Sequence, residues 1–205
     1  MALSERTPAS DRKLIQIVDS ALLDAAKRSG PWLVCKAGCS QCCVGVFAIN
    51  RLDALRLKQG LADLEARDGP LALRVRERAA QSAARLRDGF PGDPVTGLLW
   101  EGAEDSEEFD SFANEEVCAA LDPTTGTCDL YAARPMTCRV FGPPVRSGEG
   151  LGVCELCYHG ATEEEIARCE MTPDPDDLEA ELLLELDQET GLRGKTLVAF
   201  ALLDE

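Results

Sequence analysis

Residues 35–43 read Cys35-Lys36-Ala37-Gly38-Cys39-Ser40-Gln41-Cys42-Cys43, and this stretch sets the terms for the rest of the chain. Thiols at that density, interleaved with glycine, serine and glutamine, predict a turn-rich loop rather than a regular helix or strand. Cys39 and Cys42 have the two-residue gap that lets one turn present both sulfurs to a single ion. Cys35 lies one further turn away, and Gly38 permits the backbone angles such a turn needs. Cys42 and Cys43 are different. Adjacent side chains usually diverge, so these two are not expected to close on one tetrahedral ion. Their adjacency implies either two metals side by side or one ligand beside one packing thiol.

Working outward, the chain carries 10 cysteines in all. Cys118, Cys128 and Cys138 follow at even spacing, and Cys128 is preceded by the turn signal Asp122-Pro123-Thr124-Thr125-Gly126-Thr127. Cys154-Glu155-Leu156-Cys157 is another two-residue gap. Core packing gives no reason for such short gaps. We therefore take Cys35, Cys39, Cys42, Cys43, Cys118, Cys128, Cys138, Cys154 and Cys157 as candidate metal ligands. These thiols arrive from separate segments that a helical frame must bring together. Cys169 stands alone in a helical pattern and reads as a buried packing residue.

The compartment supports reduced thiols. Met1 to Arg12 is polar, with no secretory signal, and no apolar stretch reaches the length of a membrane span. The expected location is the cytoplasm, where clustered cysteines indicate metal or catalysis rather than disulfides. His159 is the only histidine and reads as an ordinary loop residue. A Cys–His dyad or a Ser-His-Asp triad would thus have a single base available. No glycine-rich phosphate loop or nucleotide fingerprint occurs.

The net charge of −16, from 37 acidic against 21 basic side chains, repels phosphate backbones and anionic membranes. Neither nucleic acid nor membrane is an expected partner. Arg74, Arg76, Arg78, Arg85 and Arg87 form a local basic run, read as a solvated helix face. Arg134 and Arg139 flank Cys138. A site of several thiolates is negative, and guanidinium groups beside it would offset that charge and donate to sulfur.

The frame reads as helical. Residues 10–29 carry apolar side chains at three- and four-residue spacing, and Gly30-Pro31 stops them. Val44 to Ile49 is an extended or strand-like segment. Asn50 caps a helix bearing Leu57, Leu61 and Leu64. Pro70 opens the next helix, about 71–88, with Val75, Ala79, Ser82 and Leu86 on one stripe. Residues 89–113 read as a loop, anchored by Leu98, Leu99 and Trp100 and followed by an acidic run. Thr162 and Glu165 form a capping box. Further helices are predicted from Asp174 to Leu186, with Asp176 and Asp177 in the first turn, and from Lys195 to Leu203. The fold class is mainly α, with helices packed around irregular cysteine-rich loops and little or no sheet. With 205 residues, 45% of them hydrophobic, the chain suits a single domain. Its cysteine core would span 33–160, with a helical extension over 161–205.

Taken together, Cys35-x3-Cys39-x2-Cys42-Cys43 and the later Cys128-x2-Tyr131-x2-Arg134-Pro135-x2-Cys138-Arg139 resemble the YkgJ-type cysteine-cluster family. Cys118 and Leu121 resemble that family's preceding Cys-x2-Leu step. The family's domain carries the provisional name of a zinc- or iron-chelating domain. The resemblance implies metal binding, with no single agreed activity. One relative, the flagellin lysine methylase, joins such a cluster to methyl transfer. Two classes therefore stay open. One is a module holding an iron–sulfur cluster or multinuclear site for metal or redox handling or electron transfer. The other is a cluster-dependent enzyme such as a protein methyltransferase. Zinc in a purely structural module is the further alternative. The thiol count and the adjacent pair favour iron–sulfur over zinc, and a protein partner stays open.

Overall fold

A computed structural model describes residues 7–147, 150–191 and 193–203. In chain order the elements are α1 (Asp11–Ser29), α2 (Arg51–Arg67), α3 (Gly69–Leu86), β1 (Gly92–Asp93), β2 (Leu98–Leu99), α4 (Glu107–Ser111), α5 (Met136–Val140), β3 (Val145–Ser147), β4 (Gly150–Gly152), α6 (Glu163–Arg168), α7 (Leu178–Thr190) and α8 (Val198–Ala201). The fold is mainly α. Among the described residues, sheet is confined to two antiparallel ribbons, β1–β2 and β3–β4. The chain divides into two compact units. Of the described residues, one comprises Thr7, 38–135 and 186–203, and the other 8–37 and 136–185.

The first unit is built on the α2–α3 helical hairpin. Asn50 caps α2 by accepting from the Asp53 amide, which satisfies one of the free N–H groups of the first turn. Asp68 serves both helices. Its amide closes α2 on the Leu64 carbonyl, and its carboxylate accepts from Leu71 to open α3, where Pro70 occupies the first turn. Leu57, Leu61 and Leu64 of α2 bury against Ala72, Val75 and Ala79 of α3 and Val198 and Ala201 of α8. Ala119, Ala120 and Leu130, which neighbour Cys118 and Cys128 in sequence, belong to that same core. A second apolar cluster joins Ala83 and Leu86 of α3 to Phe90, Leu99, Phe109 and Phe200.

The second unit centres on α1, whose Leu14, Val18 and Ala25 are fully buried. Asp19 of α1 pairs with Arg139 of α5 at 2.9 Å. The capping box of Thr162 and Glu165 opens α6 with both reciprocal bonds. Arg28 closes the other end of α6, donating to the carbonyls of Arg168 and Glu170.

Several sequence expectations are corrected. The segment 89–113 is not a bare loop. It holds the β1–β2 ribbon and α4, which Ser106 caps by accepting from Phe109. Leu99 is buried there, but Trp100 is exposed. Residues 195–203 are not one helix. Thr196 is extended and pairs with both Ile49 and Leu98, so only Val198–Ala201 is helical. Helix α7 begins at Leu178. Asp174 caps it from outside, accepting from Leu178 and Glu179, while Asp177 takes a left-handed backbone. Within the basic run, Arg74, Arg85 and Arg87 are exposed as expected, while Arg76 and Arg78 are half-buried; Arg76 pairs with Glu65, Arg78 with Asp129 and Arg85 with Glu116.

Candidate metal centre

All ten cysteines are free thiols. The first unit holds Cys39, Cys42, Cys43, Cys118 and Cys128, and the second holds Cys35, Cys138, Cys154, Cys157 and Cys169.

In the first unit the loop opens at Gly38, whose φ of +88° is the left-handed region that suits glycine. Gly126 in the turn before Cys128 lies against it: a Cβ there would stand 3.3 Å from the Gly38 carbonyl oxygen. Gln41–Cys43 then wind into a short 3-10 turn. That turn brings the Cys42 and Cys43 thiols into hydrogen-bonding contact, against the expectation that adjacent side chains diverge. The contact with Cys43, followed by burial, pushes the Cys42 thiol up from its ordinary range.

This turn is stitched to the next cysteine. The Cys118 amide donates to the Cys43 carbonyl at 2.8 Å, and the Gly45 amide donates to Glu116 at 2.9 Å. Val44 and Val117 pair as antiparallel neighbours between them. Leu121 pairs in turn with Cys128, and the Asp129 amide donates to Ala120 at 2.8 Å. A short backbone ladder therefore connects Cys43, Cys118 and Cys128.

Around each later sulfur the backbone turns its N–H groups inward. The Leu121 amide donates to the Cys118 carbonyl at 3.0 Å, and the amides of Ala120 and Leu121 at Cys118 and of Leu130 at Cys128 act to hold those thiols down. Burial nevertheless dominates. It pushes the Cys118 thiol up and brings the Cys128 thiol to about 11. Two arginines oppose that trend: Arg78 at Cys118 and Arg134 at Cys128. Arg134 also stacks its guanidinium 3.9 Å over the Tyr131 ring and donates to the Tyr131 carbonyl. Arg78 donates to the Ala119 carbonyl at 2.9 Å and to the Asp129 carboxylate at 2.6 Å. Sequence reasoning placed Arg78 on a solvated face. No local signal separates Arg78 from the exposed Arg74, because the loop that Arg78 meets lies far away in sequence.

In the second unit, Cys154-Glu155-Leu156-Cys157 forms a tight turn, with the Cys157 amide donating to the Cys154 carbonyl at 2.9 Å. The two thiols contact each other, and the Cys157 sulfur accepts from the amides of Val34 and Cys35. Cys157 is buried and its thiol is raised, first by burial and then by the Cys154 charge. Tyr158 follows with φ +60°, a costly backbone for a bulky residue. Its amide is held by the Trp32 carbonyl, and its hydroxyl bonds to Ser29 and to the Cys169 thiol. Gly142, at φ +119°, lies against Leu33: a Cβ there would stand 3.2 Å from the Leu33 Cδ1. Cys138 sits half-buried in α5, next to Arg139 and its Asp19 partner. Cys169 is buried as a packing residue, and His159 is exposed.

A family model described as "CxxCxxCC: Putative zinc- or iron-chelating domain" matches residues 34–158. The chain belongs to this family. The matched span runs from just before Cys35 to just after Cys157 and leaves out Cys169. Searches of curated proteins and of solved structures gave no match. Membership in the zinc- or iron-chelating family makes this a metal-binding chain. The donor set fits such metals, because thiolate sulfur suits both zinc and iron. Among the described residues, no three His, Cys, Asp or Glu side chains already converge to hold an ion. The thiols stand instead as contacting pairs, Cys42 with Cys43 and Cys154 with Cys157. No helix among the described residues is long and apolar enough to cross a membrane.

Proposed function

We propose that the chain holds an iron–sulfur cluster, or a multinuclear metal site, on its cysteine thiolates and serves metal or redox handling or electron transfer. The observation that carries this reading is the family match over residues 34–158, a span that holds nine of the ten free thiols. A neutral thiol is a weak acceptor. Backbone amides beside Cys118, Cys128 and Cys157 favour the ionised form of each sulfur, the form in which a sulfur binds metal. A buried thiolate needs a cation to answer it. Arg78 and Arg134 supply part of that answer, and a thiophilic metal supplies the rest.

The adjacent Cys42–Cys43 pair favours more than one metal atom, because the 3-10 turn points both sulfurs to one place. A bound cluster would bring one-electron chemistry to that place. The protein's own share is to hold the sulfurs, donate to them and keep them half-buried. Ten free thiols suit a reducing compartment, and we place the protein in the cytoplasm. The strong negative charge argues against nucleic acid as a partner.

The test is anaerobic purification followed by iron, zinc and acid-labile sulfide analysis with a visible spectrum. Brown protein with matching iron and sulfide is expected. Colourless protein with stoichiometric zinc would overturn the iron–sulfur assignment, and metal-free protein that takes up neither would overturn the reading as a whole.

A further inference from the structure

The loop carrying Cys118 and Cys128 has little regular structure of its own, yet its two thiols must keep a fixed spacing to share a metal. Ligand distances tolerate only about ±0.2 Å. One long side chain reaches both arms of that loop. Arg78 donates through Nε to the carbonyl of Ala119, the residue after Cys118. Through Nη2 it donates to the carboxylate of Asp129, the residue after Cys128. The Asp129 amide in turn donates to the Ala120 carbonyl, so these three bonds close a ring through the Ala119–Ala120 peptide link.

The arginine comes from a rigid support. Val75 and Ala79, on either side of it in α3, are fully buried in the core. The pair it makes is also more enclosed than its neighbours on that helix. The side chains of Arg78 and Asp129 are 22% and 9% exposed, against 59% for Arg85 in its pair with Glu116. Exposed pairs of the latter kind contribute little. The planar fork of a guanidinium can serve two acceptors at fixed angles, which a lysine ammonium cannot.

We propose that Arg78 is the positioning residue of the Cys118–Cys128 thiol pair, fixing the separation of the two sulfurs from helix α3 so that they bind one metal centre together. This rests on the metal-binding reading above. Partners that orient ligands from behind typically change metal affinity by about 10–100-fold when removed.

The experiment uses the full chain, stripped of metal under anaerobic reducing conditions and titrated with cobalt(II), followed by zinc(II) competition. Arg78→Met is expected to weaken cobalt binding by about 10–100-fold. It should also lower the sulfur-to-cobalt charge-transfer absorbance per bound ion, because fewer thiolates reach it. A merely structural role would change the melting temperature without changing that band. Arg78→Lys should fall between wild type and Arg78→Met, and the exposed Arg74→Met should match wild type. If Arg78→Met does not fold, Asp129→Asn breaks the same ring at its other end and is expected to shift affinity and band in the same direction. Wild-type affinity and an unchanged band in a folded Arg78→Met or Asp129→Asn protein would overturn the inference alone. Wild-type protein that binds no cobalt would overturn the metal-binding reading, and this inference with it.

Discussion

Metal loading should be strongly proton-coupled, and the structure sets the size of the effect. Burial brings the Cys128 thiol to about 11 and raises that of Cys118, and the Cys43 contact together with burial raises that of Cys42. At neutral pH, ionising a thiol at about 11 costs roughly 5 kcal/mol, at about 1.4 kcal/mol per pH unit. A structural zinc site contributes about 10–16 kcal/mol in small domains, so the metal offsets that cost and expels the proton. Each raised thiol that becomes a ligand therefore makes the affinity rise about tenfold per pH unit. The rise continues until pH passes the metal-free value of the thiol. If Cys118 and Cys128 both ligate, affinity for cobalt(II) should climb by about four orders of magnitude between pH 6 and pH 8. Calorimetry in two buffers of different ionisation enthalpy counts the protons released. Release of less than one proton per metal at pH 7 would refute the reasoning, because it would mean that the bound sulfurs were already ionised or are not ligands. The metal-free protein carries the opposite sign. Its Cys128 thiol ionises near 9.0 when unfolded and about 11 when folded. The associated stability is fully present below about 9 and is lost as pH rises through about 11.

Other outcomes follow from local geometry. Gly60 lies inside α2, and a Cβ there would stand 2.2 Å from the Ala133 Cβ. Gly60→Ala should therefore destabilise by about 1–3 kcal/mol in denaturant melts despite its better helix propensity, with Ala133→Gly restoring the loss. Asn50→Ala removes the cap of α2 and should cost about 1 kcal/mol in thermal unfolding. Leu57→Ala empties a fully buried site between α2 and α3 and should cost about 2–5 kcal/mol by the same melt. Metal removal should raise hydrogen exchange in 35–43 and 118–157 while α2 and α3 stay protected. Equal protection with and without metal would show that the loops hold without it.

What the sequence makes legible is what is local. The Asn50 cap, the Pro70 start and the Thr162–Glu165 box are read correctly because cap and helix lie within one turn of each other. The failures are non-local. Lys195 to Leu203 has helical periodicity, but Thr196 is captured by Ile49 and Leu98, far away in sequence. Tertiary pairing there overrides local preference. The helix at Glu107–Ser111 is a different kind of miss, since Ser106 followed by two glutamates is a start signal hidden inside an acidic run. The cysteine gaps point to metal chemistry, in agreement with the family match. They do not reveal which amides face the sulfurs, because those bonds depend on loop paths such as Val34 and Cys35 meeting Cys157.

The placement of positive charge joins these observations. A chain at −16 is a poor host for further anions if charge is averaged over its surface. Averaging is the wrong measure, because exposed charges farther away than about 8 Å are largely screened at physiological salt. What a thiolate feels is its own few neighbours. Around Cys118 and Cys128 those include Arg78 and Arg134, both tied down by bonds to backbone carbonyls. Four thiolates about a divalent ion leave a net charge near −2, a load that low-dielectric surroundings magnify. In the proposed site, fixed guanidinium groups would relieve that load without reorganising on metal binding. Arginine serves this better than lysine, because one plane can hold a carbonyl and a carboxylate while keeping its charge beside the sulfur. The acidic surface and the arginine-lined thiol loop are therefore compatible: the first acts through screened solvent, and the second acts at contact.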